Sequence, residues 1–530
     1  MDFDHSFQPH TDLMNTAQPR TRREFLGQVG QGMMIASIGY EVATGLGLSS
    51  AMGADAAPAL NFGKLEPLVG LMQDTPAAQL LPKLAAHLQS GTTLRDLVSA
   101  GALANARTFG GENYVGYHTA MALMPSWHMA QEMTGPEQAL PIFKVLYRNT
   151  STIQGSGGRA HEVLHEIAPA TLAAGKDGSD VLRDATRRKD MAGAEQTFAA
   201  IAAGKAEDAY NAMLHCVLDH DEVHRVGLAY RSWDLLSLVG KEHAHTLLRQ
   251  SVRYCVHGGY GGNGLSELLP KVFEQHKLDD RTPGTRKGDD AWVDKLSRTI
   301  FEASANDAAH AVAAAIAEGF SLADIGEALT LASNQLILRD HGRTPEMEAA
   351  NKPIGSLHGD SIGVHGCDSA NAWRNMSRSA NTRNSFACLI VGAHQVAKDR
   401  VERGGDFLHW QPMPPAARVK DLKTTDGTSL LRDAEAAIRS NLQIRAATCI
   451  QRYGDLNLDP QAAFALMRKY AISEDGSLHA EKFYRTASDD FNSTRAAFRW
   501  RHLVALARVT ASEYGRPAEG IAQARELLKV

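Results

Sequence analysis

The sequence predicts an all-α protein, built as a large helical bundle or repeat. Apolar residues recur at three- and four-residue spacing along most of the chain, and alternating, strand-like runs are scarce. Alanine and leucine abound, and Ser, Thr or Asp stands ahead of several periodic segments, where a helix N-cap belongs. With 530 residues, 44% of them hydrophobic, the chain is long enough to bury a sizeable core.

In chain order, the first element is an address. TRREFLG, Thr21 to Gly27, sets Arg22 and Arg23 ahead of Phe25 and Leu26; an apolar run follows, then an A-x-A step at Ala54 and Ala56. This is the pattern of a twin-arginine export signal over residues 1–56, which predicts a periplasmic or exported protein that meets the twin-arginine translocase. No other stretch reaches the roughly 18–20 apolar residues of a membrane span. Helices are expected in LEPLVGLMQDTPAAQLLPKLAAHL from Leu65, DVLRDATRRKDMAGAEQTFAAIAAG from Asp180 and DAAHAVAAAIAEG from Asp307. GSGGRAH and VHGGYGGNG lack a following Lys-Ser or Lys-Thr and read as turns, not phosphate cradles. Residues 57–405 are expected to form the main all-α domain. A linker-like stretch from Asp406 leads into 406–530, which completes the same domain.

Two segments echo each other. TLRDLVSAGALA from Thr93 and SLADIGEALTLA from Ser321 align, with Asp96 opposite Asp324 and Leu103 opposite Leu331. Ser126-Trp127 and Ser232-Trp233 follow His118 and His224 at the same offset, and Leu-His recurs at 214–215, 357–358 and 478–479. The expectation is an internally duplicated helical unit whose histidines face a shared interior.

Charge excludes some functions. Fifty-five basic against 60 acidic residues, net −5, make no polycation for nucleic acid. Five cysteines without a CxxC step exclude a thiolate zinc site and c-type haem attachment. The 22 histidines invite a test of metal chemistry. Most have ordinary readings: HEVLH puts His161 and His165 on one solvated helix face, His220 between Asp219 and Asp221 is exposed, and His243 and His245 start a helix. His118, His224, His365 and His479 each begin an apolar helix, where a side chain reaches a cavity without disturbing the packed middle. His215 and His358 are the substitutes for any of the four. Imidazoles suit iron, zinc or copper, and a histidine set without thiolates leans to non-haem iron. Neutral imidazoles leave the metal's charge uncompensated, so an anion is needed, from Asp368 or a modified Lys482. Trp127, Trp233, Trp373 and Tyr230 are candidate pocket walls or, equally, core aromatics that lock helices together. Asp368 and Tyr230 are the candidate catalytic residues.

VHRVGLAYRSW, VHGCDSANAW, LHAEKFYRT and ENYVGYHTAMAL resemble blocks of the questin oxidase-like family. That resemblance implies an all-α fold and oxidative cleavage of polycyclic aromatic compounds with O2. It also implies a mononuclear non-haem iron on His118, His224, His365 and His479, with Lys482 carboxylated as a further ligand. Asp368 stands where the family has threonine, and Asn371 where it often has histidine. The function expected is an exported oxygenase of a small aromatic or apolar substrate. A non-catalytic helical scaffold that binds a partner, and a haem or zinc enzyme using the same histidines, remain the alternatives.

Overall fold

A computed structural model describes residues 58–530 except 174, 259–263 and 351. The export-signal residues, and part of the second glycine-rich loop, lie outside the described residues. Helices dominate what is described, with no strand among these residues and only isolated bridges such as Ala59 with His165.

Ten helices build the core around the site. They are α1 (Leu94–Phe109), α2 (Tyr114–Gln131), α3 (Ala139–Gly155), α4 (Val223–Val239) and α5 (Ala244–Gly258) in the first part of the chain. In the second part they are α6 (Leu322–Leu338), α7 (Ile362–Ser379), α8 (Thr382–Arg403), α9 (His479–Ser493) and α10 (Trp500–Glu513). α1, α2 and α3 pack on one another, as do α6, α7 and α8. Between the two groups, α2 meets α4, α4 meets α7, α7 meets α9, and α9 returns to α2. These four helices close a ring.

The predicted helices form, with breaks where the backbone demands them. The segment from Leu65 splits at Thr75-Pro76 into Glu66–Asp74 and Ala77–Gln89, because a residue before proline avoids helical angles. The segment from Asp180 splits at Lys189, whose φ is +58°. The two echoing segments begin alike. Thr93 and Ser321 each accept the backbone N–H of an Asp three residues on, and that Asp bonds back to the cap. The likeness is a matched cap on α1 and α6; the structure does not extend it to a duplicated unit.

HEVLH is not a helix. His161 ends a 3-10 turn and the chain then runs extended, because the N–H groups of Val163 and Leu164 both go to the Arg107 carbonyl. His220 is half-buried, and its flanking carboxylates are not on the surface. Asp219 takes Arg183 and Arg187, and Asp221 takes His394 at 2.8 Å and Lys398 at 2.6 Å. The tryptophans are core residues. Trp373 is fully buried and donates to Gln395, Trp233 stacks on Tyr210 with ring centroids 4.1 Å apart, and Trp127 packs against the main core. None of the three lines the cavity described below; Tyr230 does.

Candidate metal centre

Each of the four helices in the ring brings one histidine, close to its N-terminus, to a common point. Asn113 caps α2 by accepting from Gly116 N–H, and His118 follows one turn later. Glu222 caps α4 by accepting from the N–H groups of His224 and Arg225. Ser361 caps α7, placing His365 in its first turn. α9 has no side-chain cap; it starts at His479 after three left-handed residues, Gly476, Ser477 and Leu478. Left-handed backbone costs a non-glycine residue roughly 1–2 kcal/mol. Burial of the Leu478 side chain offsets that cost and fixes the direction in which His479 leaves the turn.

The imidazoles meet edge to face for His224–His365 and His365–His479 and tilted for His118 with His224 and with His479. Ring centroids lie 4.8 Å apart for His118–His224, 5.5 Å for His224–His365, 4.9 Å for His365–His479 and 5.2 Å for His118–His479. Three rings are held by their Nδ1 atoms. His118 Nδ1 donates to the Tyr114 carbonyl at 2.7 Å, His224 Nδ1 to Glu222 Oε1 at 2.6 Å, and His479 Nδ1 to the Ser477 carbonyl at 3.1 Å. That assignment leaves Nε2 of each as a lone pair. Nε2 of His118 and of His224 is buried without a hydrogen-bond partner, and Nε2 of His365 faces Nε2 of His479 at 3.0 Å. Donor nitrogens of His118, His224 and His365 all fall within 4.8 Å of one another. Nδ1 tied to a carbonyl or carboxylate with Nε2 turned inward is the arrangement of metal-binding imidazoles.

Electrostatics favour the neutral form of three of these rings, His118, His365 and His479. Burial holds His118 and His479 well below the ordinary histidine range, helped by the Lys482 charge. Burial pushes His365 down to about 3, with His224 and Lys482 adding to it. A neutral imidazole is the form that binds metal. Burial would raise Glu222, but its electrostatic interaction with the His224 ring and the hydrogen bonds from that ring and from the backbone of His224 and Arg225 hold it well below the carboxylate range.

Beside the histidines lies a cavity of about 20 Å³, bordered by His224, His365, Tyr230, Arg231, Asp368 and Lys482. Lys482 is 5% exposed and makes no hydrogen bond or ion pair among the described residues; burial pushes it down to about 8. Asp368 accepts from Thr486 at 2.7 Å, and burial raises its carboxyl above the usual range. The structure thus brings together all seven residues singled out in the sequence. The substitutes stand apart from the four rings: His215 pairs with Asp180 at 3.0 Å, and burial pushes His358 down to about 4 beside Arg516. Open depressions of about 650 Å³, at His341 and Cys449, and about 750 Å³, at Lys352 and Arg516, border none of the four rings.

Sequence reasoning missed the surrounding aromatic and charged residues. Tyr114 and Tyr117 pack on both His118 and His224, with centroids 4.4–5.6 Å away. Tyr254, on α5, donates to Glu222 Oε2 at 2.9 Å. Glu222 had a signal, a helix-cap position two residues before His224, and Tyr114 lies one turn before His118. Tyr254 and Arg231 carried none.

Fold and site together define an all-α protein with four imidazoles converging on a buried point. No protein-family model, curated protein or solved structure matches the chain.

Proposed function

We propose that this protein is an oxidoreductase with one non-haem iron, acting with O2 on a small aromatic or apolar organic substrate. The observation that carries it is the set of four converging imidazoles with Nδ1 atoms tied on three and Nε2 atoms turned inward. His118, His224, His365 and His479 would hold the ion, with Lys482, once carboxylated, as an oxygen donor. Iron supplies the redox chemistry that brings O2 and an organic substrate to reaction. The protein does the rest. Glu222 and two backbone carbonyls fix ring orientation. Asp368, kept toward its protonated form, is placed to give or take a proton at the oxygen Thr486 leaves free. The Tyr230 phenol, raised by burial, stays protonated as a wall and donor. The short sequence blocks around His224, His365 and His479 support the same reading.

Elemental analysis of the purified protein tests the proposal. About one iron per chain is expected, lost in His224→Ala and in His365→Ala with circular dichroism unchanged. Zinc in place of iron would identify a zinc enzyme. Metal-free protein with an intact fold would favour a helical binding scaffold and would falsify the oxidoreductase reading. We also propose export through the twin-arginine translocase. Residues 1–56 fused to a folded reporter should carry it out of the cytoplasm, and Arg22→Lys with Arg23→Lys should retain it.

A further inference from the structure

One of the aromatic rings on the histidine centre reaches solvent. Tyr114, the first residue of α2, is 47% exposed. Tyr117, His118 and His479 beside it are buried, as are Arg231 and Lys482 on the inner cavity. Glu222, its side chain 36% exposed, reaches water at the same place. Tyr114 does not border the inner cavity, so it covers His118 and His224 from another side.

The Tyr114 ring fills a place shaped by three others. It lies tilted on His118, with centroids 4.4 Å apart, and edge to face with Tyr117 at 5.4 Å and with His224 at 5.6 Å. Aromatic rings favour such neighbours, because the electron-rich face of one meets the positive edge of another. No polar contact adds to these. The hydroxyl makes no hydrogen bond among the described residues, and Asp360 and Glu222 act on it through charge alone. Both Glu222 oxygens are taken, by His224, Arg225 and Tyr254. The Tyr114 backbone, by contrast, is fixed. Its carbonyl takes His118 Nδ1 at 2.7 Å, and Asn113 caps the helix just before it. The side chain therefore rotates without disturbing α2 or the His118 ring, on the fast timescale of surface side chains.

We infer that Tyr114 is the gate of the centre and that its ring keeps the place of a guest: an aromatic ring binds against His118, His224 and Tyr117 when the Tyr114 side chain swings outward. The inference deepens the proposed oxidoreductase reading and rests on it for taking the guest to be the substrate. It narrows that substrate from aromatic or apolar to aromatic, because the three walls of the place are themselves rings.

The test uses the purified full chain, freed of metal with a chelator, at neutral pH. Diethyl pyrocarbonate, which acylates neutral imidazole, is added, and the modified histidines are mapped by mass spectrometry. Exposed His409 and buried His502 serve as internal standards. A gate open one part in about ten slows reaction behind it about tenfold, so Tyr114→Ala should acylate His118 and His224 about tenfold faster than wild type, or more. Tyr114→Phe should match wild type, since the hydroxyl bonds nothing. Tyr114→Leu serves if the Ala variant does not fold, which fast acylation of His502 would reveal. Phenol should slow both reactions saturably, and should do so in Tyr114→Ala at about tenfold lower concentration, because no ring competes for the place. Cyclohexanol, with the same hydroxyl but no π-face, should not protect. Equal acylation of wild type, Tyr114→Ala and Tyr114→Leu overturns the gate. Equal protection by phenol and cyclohexanol, or by neither, overturns the aromatic guest. The readout needs no metal. Iron-free protein that shows the gate and the phenol site therefore supports this inference and overturns the oxidoreductase reading alone; iron-loaded protein that shows neither does the reverse.

Discussion

Gly359 lies so close to His479 that a Cβ there would sit 2.2 Å from the histidine Cβ. Its N–H donates to Glu513 Oε1 at 2.9 Å, so the backbone cannot back away freely. Gly359→Ala should destabilise the protein by about 1–3 kcal/mol and lower metal content; chemical denaturation and elemental analysis check the two effects. Glu513 itself gives a pH prediction. Burial raises its carboxyl to about 8 from an ordinary 4.5. The folded chain therefore keeps a proton that the unfolded chain has released, and stability falls as pH rises through that window. Glu513→Gln should gain stability relative to wild type between pH 5 and 8, by up to about 1.4 kcal/mol per pH unit, and gain no more above it. His365 acts at the other end. Its folded value of about 3 lies below the unfolded 6.5, so the unfolded chain takes up the proton first. The metal-free protein should lose stability as pH drops from 6.5 towards 3, as urea titrations at pH 7, 6 and 5 would show. The histidines themselves were legible in the sequence, since a histidine opening an apolar helix is a local pattern. Arg231 was not: its place beside the cavity exists only once α4, α7 and α9 are packed.

At the scale of elements, the helix starts do the aiming. Asn113→Ala removes the acceptor for Gly116 N–H at 2.7 Å and should cost roughly 1 kcal/mol. Because that cap sets the first turn of α2, the variant should also bind metal more weakly than wild type, as competition with a chelator would measure. A control variant, Ser304→Ala, removes the cap of the helix Ala305–Ala317 and should lose similar stability without changing metal affinity. Caps of this kind were readable from Ser, Thr and Asp ahead of apolar runs; the Asn113 cap was not among them. The start of α9 was read as a helix start too, but its left-handed entry through Ser477 and Leu478 was not. Neither residue favours that conformation, and only burial of Leu478 enforces it. HEVLH failed for a related reason: its spacing is helical, but its backbone donors are taken by Arg107, distant in sequence.

At the scale of the molecule, the helical class was plain from periodicity, whereas the closed ring α2–α4–α7–α9 was not, because periodicity marks an apolar face without naming its partner. The ring makes a prediction about the C-terminal segment. α9 packs on α2 and α7, and α10 on α6, so a chain ending at residue 405 loses one side of the ring together with His479 and Lys482. That truncation should show no cooperative unfolding transition by calorimetry and bind no stoichiometric metal. A chain of residues 58–530 should do both.

The ring also fixes when the centre comes into being. Its four members run from Tyr114 to Ser493, so a ribosome must release almost the entire chain before the last imidazole is in place. No fragment made earlier in synthesis holds the whole set. On the proposed reading, metal would load only after synthesis, and a loaded centre would report a finished fold. If residues 1–56 direct export of the folded chain as proposed, the ion would serve as a seal of completion, acquired in the compartment of synthesis and carried across with the chain.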